Sequence, residues 1–252
     1  MTHEYQTSAK SGKYTSVTDF PINQRWPAQN PNILQLYSFP TPNGVKVSIA
    51  LEELGIEYEA HRVRLSDEDV KSAEFLSLNP NNKIPAIIDP KGPNNEPIGL
   101  FESGAILIYL AEKSGKLLGN NPVEKAKILQ WLMFQMGGVG PMFGQLGFFH
   151  VFAGKEISDP RPKARYLNEA KRLLNVIENQ LNGQNWIAGE FSIADIAIVP
   201  WLQTLQTFYQ ATEITKLNDL TNVKAYIERF NQRPAVQKGW KIPAENKLKE
   251  AS

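Results

Sequence analysis

Three short segments carry residues whose types and spacing suit the binding of a charged ligand. The first is Thr41-Pro-Asn-Gly44, between a predicted strand and a predicted helix. Thr41 suits the N-cap and Pro42 the first helical position, so a simple capped helix is one interpretation. A hydroxyl, an amide and free backbone N–H groups at the positive end of a helix dipole can also stabilise an anion, including a thiolate.

The second segment, Asn79-Pro-Asn-Asn-Lys-Ile-Pro85, precedes an apolar strand. X–Pro bonds carry only a small penalty for the cis form, so a proline at this bend is a candidate cis residue. A bend here would turn the backbone of Ile84 outward and offer its N–H and C=O to an extended peptide. A polar loop with a helix-ending proline is the alternative interpretation.

The third segment, Phe101-Glu-Ser-Gly104, joins the end of a predicted strand to the start of a predicted helix. Ser103 suits the N-cap, and Glu102 suits an ordinary surface charge. The same residues can also recognise a ligand. Ser103 and the helix N-terminus would then hold a carboxylate while Glu102 faces an ammonium group.

The elements that must position these segments follow the order β-α-β-α-β-β-α. Apolar and turn patterns predict a helix that ends at Gly55 and another that begins at Ser103. From Val123 onward the pattern is helical nearly throughout, with no convincing strand. The predicted fold class is a small α/β domain followed by an all-α domain. Strands are expected at 33–38, 57–65, 86–88 and 98–101, a short helix at 70–76, and helix interruptions at 137–138 and 160–162.

Composition excludes several kinds of protein. The chain has 252 residues, with 27 basic and 26 acidic side chains, and a net charge of +1 argues against a nucleic-acid binder. It contains no cysteine, which excludes a cysteine nucleophile, a CxxC redox pair and any disulfide within the chain. Thiol chemistry remains possible if a ligand supplies the thiol.

Neither a metal site nor a membrane span is predicted. The three histidines are scattered, without the spacing of a zinc site. No segment reaches the roughly 20 apolar residues of a membrane-spanning helix. The polar start lacks the order of a secretion signal, so we expect a cytoplasmic protein.

The three segments, in this order and at strand ends, resemble the glutathione-binding, thioredoxin-like domain of cytosolic glutathione transferases. More narrowly, TPNG, NPNNKIPA and FESGAILIYLAEKSG are similar to the nu class, the bacterial glutathione-dependent disulfide-bond reductases related to yeast prion-type transferase homologues. The resemblance continues at Leu129–Gln145, Ser192–Ala197 and Arg233–Ala235. It implies an N-terminal extension at 1–32, a thioredoxin-like glutathione-binding domain at 33–113, an all-helical domain with a substrate pocket at 122–240, and a C-terminal tail at 241–252.

The resemblance also implies a role for individual residues. Thr41 and Asn43 match the catalytic positions that donate hydrogen bonds to the glutathione sulfur. The remaining matches bind the tripeptide: Ile84 beside Pro85 at the cysteinyl part, Glu102 and Ser103 at the γ-glutamyl part, Lys83 near the glycyl carboxylate, and Arg165 elsewhere on glutathione. A glutamine that contacts glutathione in some members is replaced here, with Val70 at the matching position.

Other residues are weighed against simpler roles. Tyr37 and Ser38 lie near catalytic positions of other transferase classes, but Tyr37 is expected to face the sheet interior. Ser192 and Asp195 form a predicted capping box of structural importance. Anchors in the extension are expected to hold it across a folded body: Tyr5, Phe20, Ile22 and Trp26. A hydrophobic substrate pocket has seven aromatic candidates, although helical spacing favours the core for most of them: Trp131, Phe134, Phe148, Phe149, Phe152, Trp201 and Tyr209.

Taken together, the residues and the resemblance predict a glutathione-dependent disulfide-bond reductase. One or two glutathione molecules per site would act as cosubstrate, without a metal, in a homodimer. Two alternatives stay open. One is a conjugating transferase or peroxidase that acts on hydrophobic electrophiles, and the other is a non-catalytic glutathione-binding module.

Overall fold

The computed structural model describes residues 14–244. The chain forms two compact units. Within the described part, unit 1 consists of residues 14–109 together with 238–244, and unit 2 consists of residues 110–237. Unit 1 is therefore formed by two stretches of the sequence, one before unit 2 and one after it.

Unit 1 is built on a four-stranded mixed sheet in the order β2-β1-β3-β4. Strands β1 and β2 are parallel and are connected by the first helix, while β3 and β4 form an antiparallel hairpin. The second strand is shorter than the sequence pattern predicts. The strands are β1 (Leu34–Ser38), β2 (Tyr58–Arg62), β3 (Ala86–Asp89) and β4 (Ile98–Phe101).

The helices of unit 1 begin and end at the residues that local chemistry favours. Helix α1 (Pro42–Leu54) starts after the Thr41 cap and ends at Gly55, whose φ of 66° lies in the left-handed region that glycine adopts freely. The predicted second helix is in fact two short helices, α2 (Asp67–Val70) and α3 (Ala73–Leu78). Helix α4 (Ser103–Ser114) follows the hairpin.

The segment before β1 packs on unit 1. It forms two 3-10 turns, Val17–Asp19 and Pro21–Gln24, and buries Phe20 and Ile22 in a cluster with Phe75. Trp26 packs against the same cluster and donates a hydrogen bond from Nε1 to the Arg62 carbonyl (3.2 Å). The predicted anchors Phe20, Ile22 and Trp26 are thus confirmed, while Tyr5 lies outside the described residues.

Unit 2 is helical, and among the described residues no strand follows β4 apart from an isolated bridge between Trp186 and Gly189. The predicted interruption at Gly137-Gly138 is a π-helical turn, Gln135–Val139. This architecture confirms the predicted fold class. The helices are α5 (Pro122–Phe134), α6 (Gly140–His150), α7 (Pro160–Gln180), α8 (Ile193–Thr207), α9 (Thr212–Thr215), α10 (Thr221–Asn231) and α11 (Pro234–Gly239), whose last residues belong to unit 1.

Helix α8 confirms the predicted capping box. The Ser192 side chain caps the first turn, and Asp195 accepts a hydrogen bond from the Ser192 backbone N–H (2.8 Å). Asp195 is fully buried and also accepts from the Tyr226 hydroxyl (2.7 Å). In the part of the chain that is described, no helix combines the length and apolar character needed to cross a membrane.

Candidate functional site

The sheet register brings the three sequence segments to one edge of unit 1. Tyr37 in β1 pairs with Ala86 in β3, and Ala86 pairs with Phe101 in β4. Because β3 runs opposite to both neighbours, the end of β1, the start of β3 and the end of β4 lie side by side. The segments that follow Ser38, precede Ala86 and follow Phe101 therefore leave the sheet at the same edge.

The first segment forms a capped helix start, as the sequence predicts. Thr41 Oγ1 accepts a hydrogen bond from the Gly44 backbone N–H (3.2 Å), and Asn43 is the second residue of α1 and partly exposed. Gly44 is required by close approach, since a Cβ there would lie 1.9 Å from the Phe39 carbonyl oxygen. The hydroxyl of Thr41 and the N-terminus of α1 thus stand together at the sheet edge, an arrangement suited to an anion.

The second segment is held in shape by Asn79, which the sequence analysis did not single out. Asn79 is buried, donates to the Lys83 carbonyl, and accepts from the Asn81 backbone N–H (2.9 Å). The Ile84–Pro85 peptide bond is cis. Lys83 is exposed, whereas the Ile84 side chain is buried among apolar residues of unit 1. This burial anchors the loop immediately before β3.

The third segment differs by one residue from the predicted cap. Ser103 is the first helical residue of α4, so it is not the N-cap; the preceding residue, Glu102, accepts the Ile106 backbone N–H (2.9 Å) through its carbonyl. Glu102 has a φ of 70°, an uncommon value for a residue with a side chain. Ser103 is buried and Glu102 is exposed.

A buried lysine lies behind the third segment, and the sequence analysis missed it. Lys46 in α1 is 0% exposed, and its Nζ is 3.4 Å from Ser103 Oγ. Burial lowers the pKa of Lys46 to about 7, although the negative charge of Glu102 acts in the opposite direction. The one available sequence signal is a lysine inside an otherwise apolar helical run.

Three positions considered in the sequence are buried. Tyr37 faces the sheet interior, as predicted, and burial raises the pKa of its hydroxyl. Ser38 is also fully buried and donates to the neighbouring Phe39 carbonyl. Val70, at the position where some relatives in the resembled class have a glutamine, packs into the apolar cluster beside Phe75. An apolar side chain at position 70 supplies no hydrogen bond.

Arg165 belongs to unit 2. It lies exposed on α7, one turn before Glu169, and its positive charge contributes to lowering the pKa of that carboxyl after the larger effect of the Arg172 hydrogen bonds. The three segments at the sheet edge belong to unit 1. Within the described residues, no group of three or more His, Cys, Asp and Glu side chains forms a metal site.

The aromatic residues of unit 2 divide between core and surface. Trp201 and Tyr209 are buried, whereas Phe148 and Phe152 are 41% and 44% exposed. The Phe152 ring lies 5.8 Å from that of Phe208, which is 60% exposed and was not among the sequence candidates. The Phe152 and Phe208 rings give unit 2 an exposed aromatic cluster, here defined as these two residues, whereas the Phe148 ring packs against Phe149 (5.1 Å).

Comparison with known proteins identifies the family. Residues 33–112 match the model of the glutathione S-transferase N-terminal domain, and residues 142–234 match that of the glutathione S-transferase C-terminal domain. The chain belongs to the glutathione transferase family. It is therefore an enzyme of the glutathione transferase family, and its two units correspond in order to the two domains whose models they match.

Relatives within the glutathione transferase family include proteins named for disulfide chemistry. The chain is 42% identical over 205 residues to the disulfide-bond oxidoreductase YfcG of Escherichia coli. The aligned region covers 81% of this chain and 92% of that protein. It is 41% identical over 215 residues to the disulfide-bond oxidoreductase YghU of the same organism, covering 82% and 73%.

Solved structures of glutathione transferases show the same fold. The Pseudomonas putida enzyme, with one glutathione disulfide bound per subunit, is 58% identical with a TM-score of 0.90, covering 91% of this chain and 100% of that one. The Burkholderia graminis enzyme, with two glutathione molecules bound per subunit, is 56% identical with a TM-score of 0.90, covering 92% and 97%.

Proposed function

We propose that this transferase is a glutathione-dependent disulfide-bond reductase of the nu class. One observation carries the proposal: a chain without cysteine is 42% identical to a protein named for disulfide-bond oxidoreduction. Disulfide exchange needs an attacking thiolate, so in this chain the thiol must arrive with a ligand. Glutathione is that ligand in the proposal, and the Pseudomonas putida relative bound with glutathione disulfide supports the choice.

Thr41 and Asn43 are proposed to stabilise the glutathione thiolate. A free thiol has a pKa of about 8.5, and lowering it by about two units requires about 2.7 kcal/mol. Hydrogen bonds to a charged group contribute roughly 1.5–3 kcal/mol each, and the N-terminus of α1 adds to them. Thr41 Oγ1 already accepts from the Gly44 N–H, which leaves its own proton to be donated to the sulfur.

The proposed reaction consumes two glutathione molecules for each disulfide reduced. The first thiolate attacks one sulfur of the substrate, a mixed disulfide forms, and the other sulfur leaves as a thiolate that takes up a proton. A second glutathione thiolate then attacks the mixed disulfide, which releases the second substrate thiol and forms glutathione disulfide. The Burkholderia graminis relative, with two glutathione molecules per subunit, supports a site of this capacity.

The remaining contacts to glutathione are assigned from the family resemblance together with position. The backbone of Ile84 beside Pro85 is proposed to pair with the cysteinyl part, and Glu102 and Ser103 to bind the γ-glutamyl part. Lys83 is proposed near the glycyl carboxylate, where its exposure favours a solvated ion pair. Arg165 of unit 2 is proposed as a further contact from the resemblance alone.

One observation favours a second function. The exposed aromatic cluster of unit 2 would suit the apolar part of a hydrophobic electrophile, as in a conjugating transferase or a peroxidase. The same glutathione thiolate would then attack carbon or a peroxide oxygen. A protein that binds glutathione but turns over neither disulfides, peroxides nor electrophiles would instead be a non-catalytic module.

The decisive experiment is steady-state reduction of 2-hydroxyethyl disulfide by glutathione, coupled to glutathione reductase. We expect Thr41→Val and Asn43→Ala each to lower kcat/KM by about tenfold to a hundredfold, because each variant loses one hydrogen bond to a charged sulfur. Thr41→Ser keeps the hydroxyl and should retain most activity.

A matched control separates chemistry from helix capping. Asn121 caps α5 in unit 2 by accepting from the Val123 and Glu124 N–H groups, so Asn121→Ala removes a cap of comparable stability without touching the proposed site. Wild-type turnover of a chlorinated aromatic, without disulfide reduction, would replace the proposal with the conjugating transferase. Equal activity in Thr41→Val and wild type would reject the role of Thr41.

The proposal includes a cytoplasmic homodimer that binds no nucleic acid. A reductant pool of glutathione is a property of the cytosol, and the dimer follows from the family resemblance. Analytical ultracentrifugation at micromolar concentrations should give a dimeric mass, and a single monomeric mass would contradict this part of the proposal.

A further inference from the structure

Lys46 is a buried cation whose position in α1 has no explanation in helix formation or core packing. It lies between Val45 and Val47, in a stretch where every residue from Gly44 to Leu51 is buried. Lysine is almost never fully buried unless it is paired, because removing an ammonium group from water is costly. An apolar side chain would stabilise the same position better.

Two neighbours of Lys46 are the residues proposed to receive the γ-glutamyl end of glutathione. Its Nζ lies 3.4 Å from Ser103 Oγ, at the first residue of α4. The charge on Glu102, the preceding residue, acts on the same ammonium group. Lys46 thereby links the start of α1 to the start of α4.

We propose that Lys46 is a positioning residue that sets Ser103 to bind the α-carboxylate of the γ-glutamyl group of glutathione. This inference rests on the proposed glutathione site. It assigns to Lys46 an indirect role through Ser103, without contact between Lys46 and the ligand.

The donor chemistry of the two side chains explains how the positioning works. An ammonium group has three donors and no acceptor, so Ser103 Oγ accepts from Lys46 and cannot donate its proton back to it. A carboxylate that arrives at Ser103 is an acceptor to which Ser103 Oγ can donate this proton. The N-terminus of α4 and the nearby positive charge both favour an anion at this point.

Burial supports a role that responds to the ligand. Burial lowers the pKa of Lys46 to about 7, so both the ammonium and the neutral amine forms are populated near neutral pH. A carboxylate brought next to Ser103 stabilises the ammonium form. Carboxylate binding and the charge on Lys46 thus reinforce each other.

The test compares two ligands that differ only in the α-carboxylate. One is S-methylglutathione, which has no free thiol. The other is 4-aminobutanoyl-S-methylcysteinylglycine, which lacks the α-carboxylate of the γ-glutamyl group and is otherwise the same. Isothermal titration calorimetry measures both affinities for the full-length wild type, Lys46→Met and Ser103→Ala, with Lys125→Met as a control that removes an exposed lysine of unit 2.

The expected result is a selective loss. Wild type should bind S-methylglutathione at least tenfold more tightly than the decarboxylated ligand, and Lys46→Met should remove most of that preference, as should Ser103→Ala. In disulfide reduction, Lys46→Met should raise the KM for glutathione more than it lowers kcat, and Lys125→Met should match wild type.

Several results would overturn the inference. If folded Lys46→Met loses affinity for both ligands by the same factor, Lys46 has only a structural role. If the variant keeps the wild-type preference for S-methylglutathione, Lys46 does not position Ser103. If Lys46→Met does not fold, Lys46→Gln replaces it, and failure of both to fold rejects positioning in favour of a purely structural role. A wild type that binds neither ligand would overturn the glutathione site itself, and the role of Lys46 with it.

Discussion

At the scale of single residues, Asp69 of α2 is a buried carboxylate that binds two arginines, one of them in the segment before β1. It accepts from Arg25 Nη2 (2.7 Å), from Arg64 Nε (3.0 Å) and from the Arg64 backbone N–H (2.9 Å). Burial acts to raise the pKa of Asp69, but the hydrogen bonds from Arg64 and Arg25 outweigh it and lower the pKa to about 2.

We expect this carboxylate to make stability depend on acid pH. Because the pKa of Asp69 in the folded state lies below the usual value of an aspartate, its contribution to stability is present above about pH 4 and is lost as the pH falls toward 2. Asp69→Asn should lower the free energy of unfolding at pH 7 by about 1–3 kcal/mol, and the deficit should shrink below pH 4. Urea denaturation between pH 7 and pH 3 measures both values.

A surface pair supplies the control for Asp69. Asp159 binds Arg161 (2.6 Å) at an exposed helix start, so Asp159→Asn should change stability little at any pH. A deficit in Asp69→Asn that stays constant down to pH 3 would contradict the linkage.

Single residues also mark where prediction from sequence succeeds and where it stops. The Thr41 cap and the burial of Tyr37 follow from local rules, because a cap and a strand face depend on residues a few positions away. Lys46 could not be predicted in this way. A lysine on a helix is normally solvated, and its burial depends on α4, which lies 57 positions further along the chain.

At the scale of elements, the start of α8 depends on one carboxylate. Asp195 accepts from the backbone N–H groups of Ile187 (2.9 Å) and Ser192 (2.8 Å), from the Ser192 hydroxyl (3.1 Å) and from the Tyr226 hydroxyl (2.7 Å). It thus joins the loop before α8, the first turn of α8, and α10.

Removing this carboxylate should destabilise the protein without altering its chemistry. Asp195→Ala leaves buried donors without an acceptor, and we expect a loss of about 2–4 kcal/mol in the free energy of unfolding. Differential scanning calorimetry should show a lower Tm, while the KM for glutathione at 15 °C stays at the wild-type value. An unchanged Tm would refute the structural role.

Most elements were predictable because their signals are local. Pro85 precedes β3, the turn-rich stretch 89–97 connects β3 to β4, and Gly55 ends α1. The division between α2 and α3 was missed, because Lys71 and Ser72 do not interrupt a helical pattern. Ser72 nevertheless starts a second helix by capping the Phe75 N–H (3.2 Å).

At the scale of the whole molecule, the segment before β1 is part of the core of unit 1. Val17, Phe20 and Ile22 are buried with Phe75 and Leu78, and the backbone N–H groups of residues 29 and 30 donate to the Glu59 carboxylate. A Cβ on Gly99 in β4 would meet both Leu78 and Phe20, which shows how closely the segment approaches the sheet.

We expect deletion of residues 1–32 to destabilise the protein. The loss of buried apolar surface from Val17, Phe20 and Ile22 should lower the Tm by about 10 °C or more, or yield aggregated protein. Deletion of residues 1–13 is the comparison truncation, because it keeps Val17, Phe20 and Ile22. Thermal unfolding of both truncations measures the effect, and equal Tm values would contradict it.

Helix α1 packs against residues near the end of the described chain. The Ser48 hydroxyl donates to the Gly239 carbonyl (2.7 Å), Glu52 binds Lys238 (2.7 Å), and a Cβ on Gly239 would lie 2.7 Å from the Ile49 Cα. Arg62 at the end of β2 also donates to the Pro243 carbonyl (3.0 Å). Unit 1 is therefore closed by residues that the ribosome adds only after residues 110–237.

At roughly 5–20 residues per second, translation of the intervening region takes from several seconds to about half a minute. During that interval the nascent chain already contains the sheet and α1, but Ser48, Ile49 and Glu52 lack the partners that will cover them. The proposed thiolate-binding end of α1 is thus among the first parts of the protein to be synthesised, while its helix is among the last to be fully enclosed.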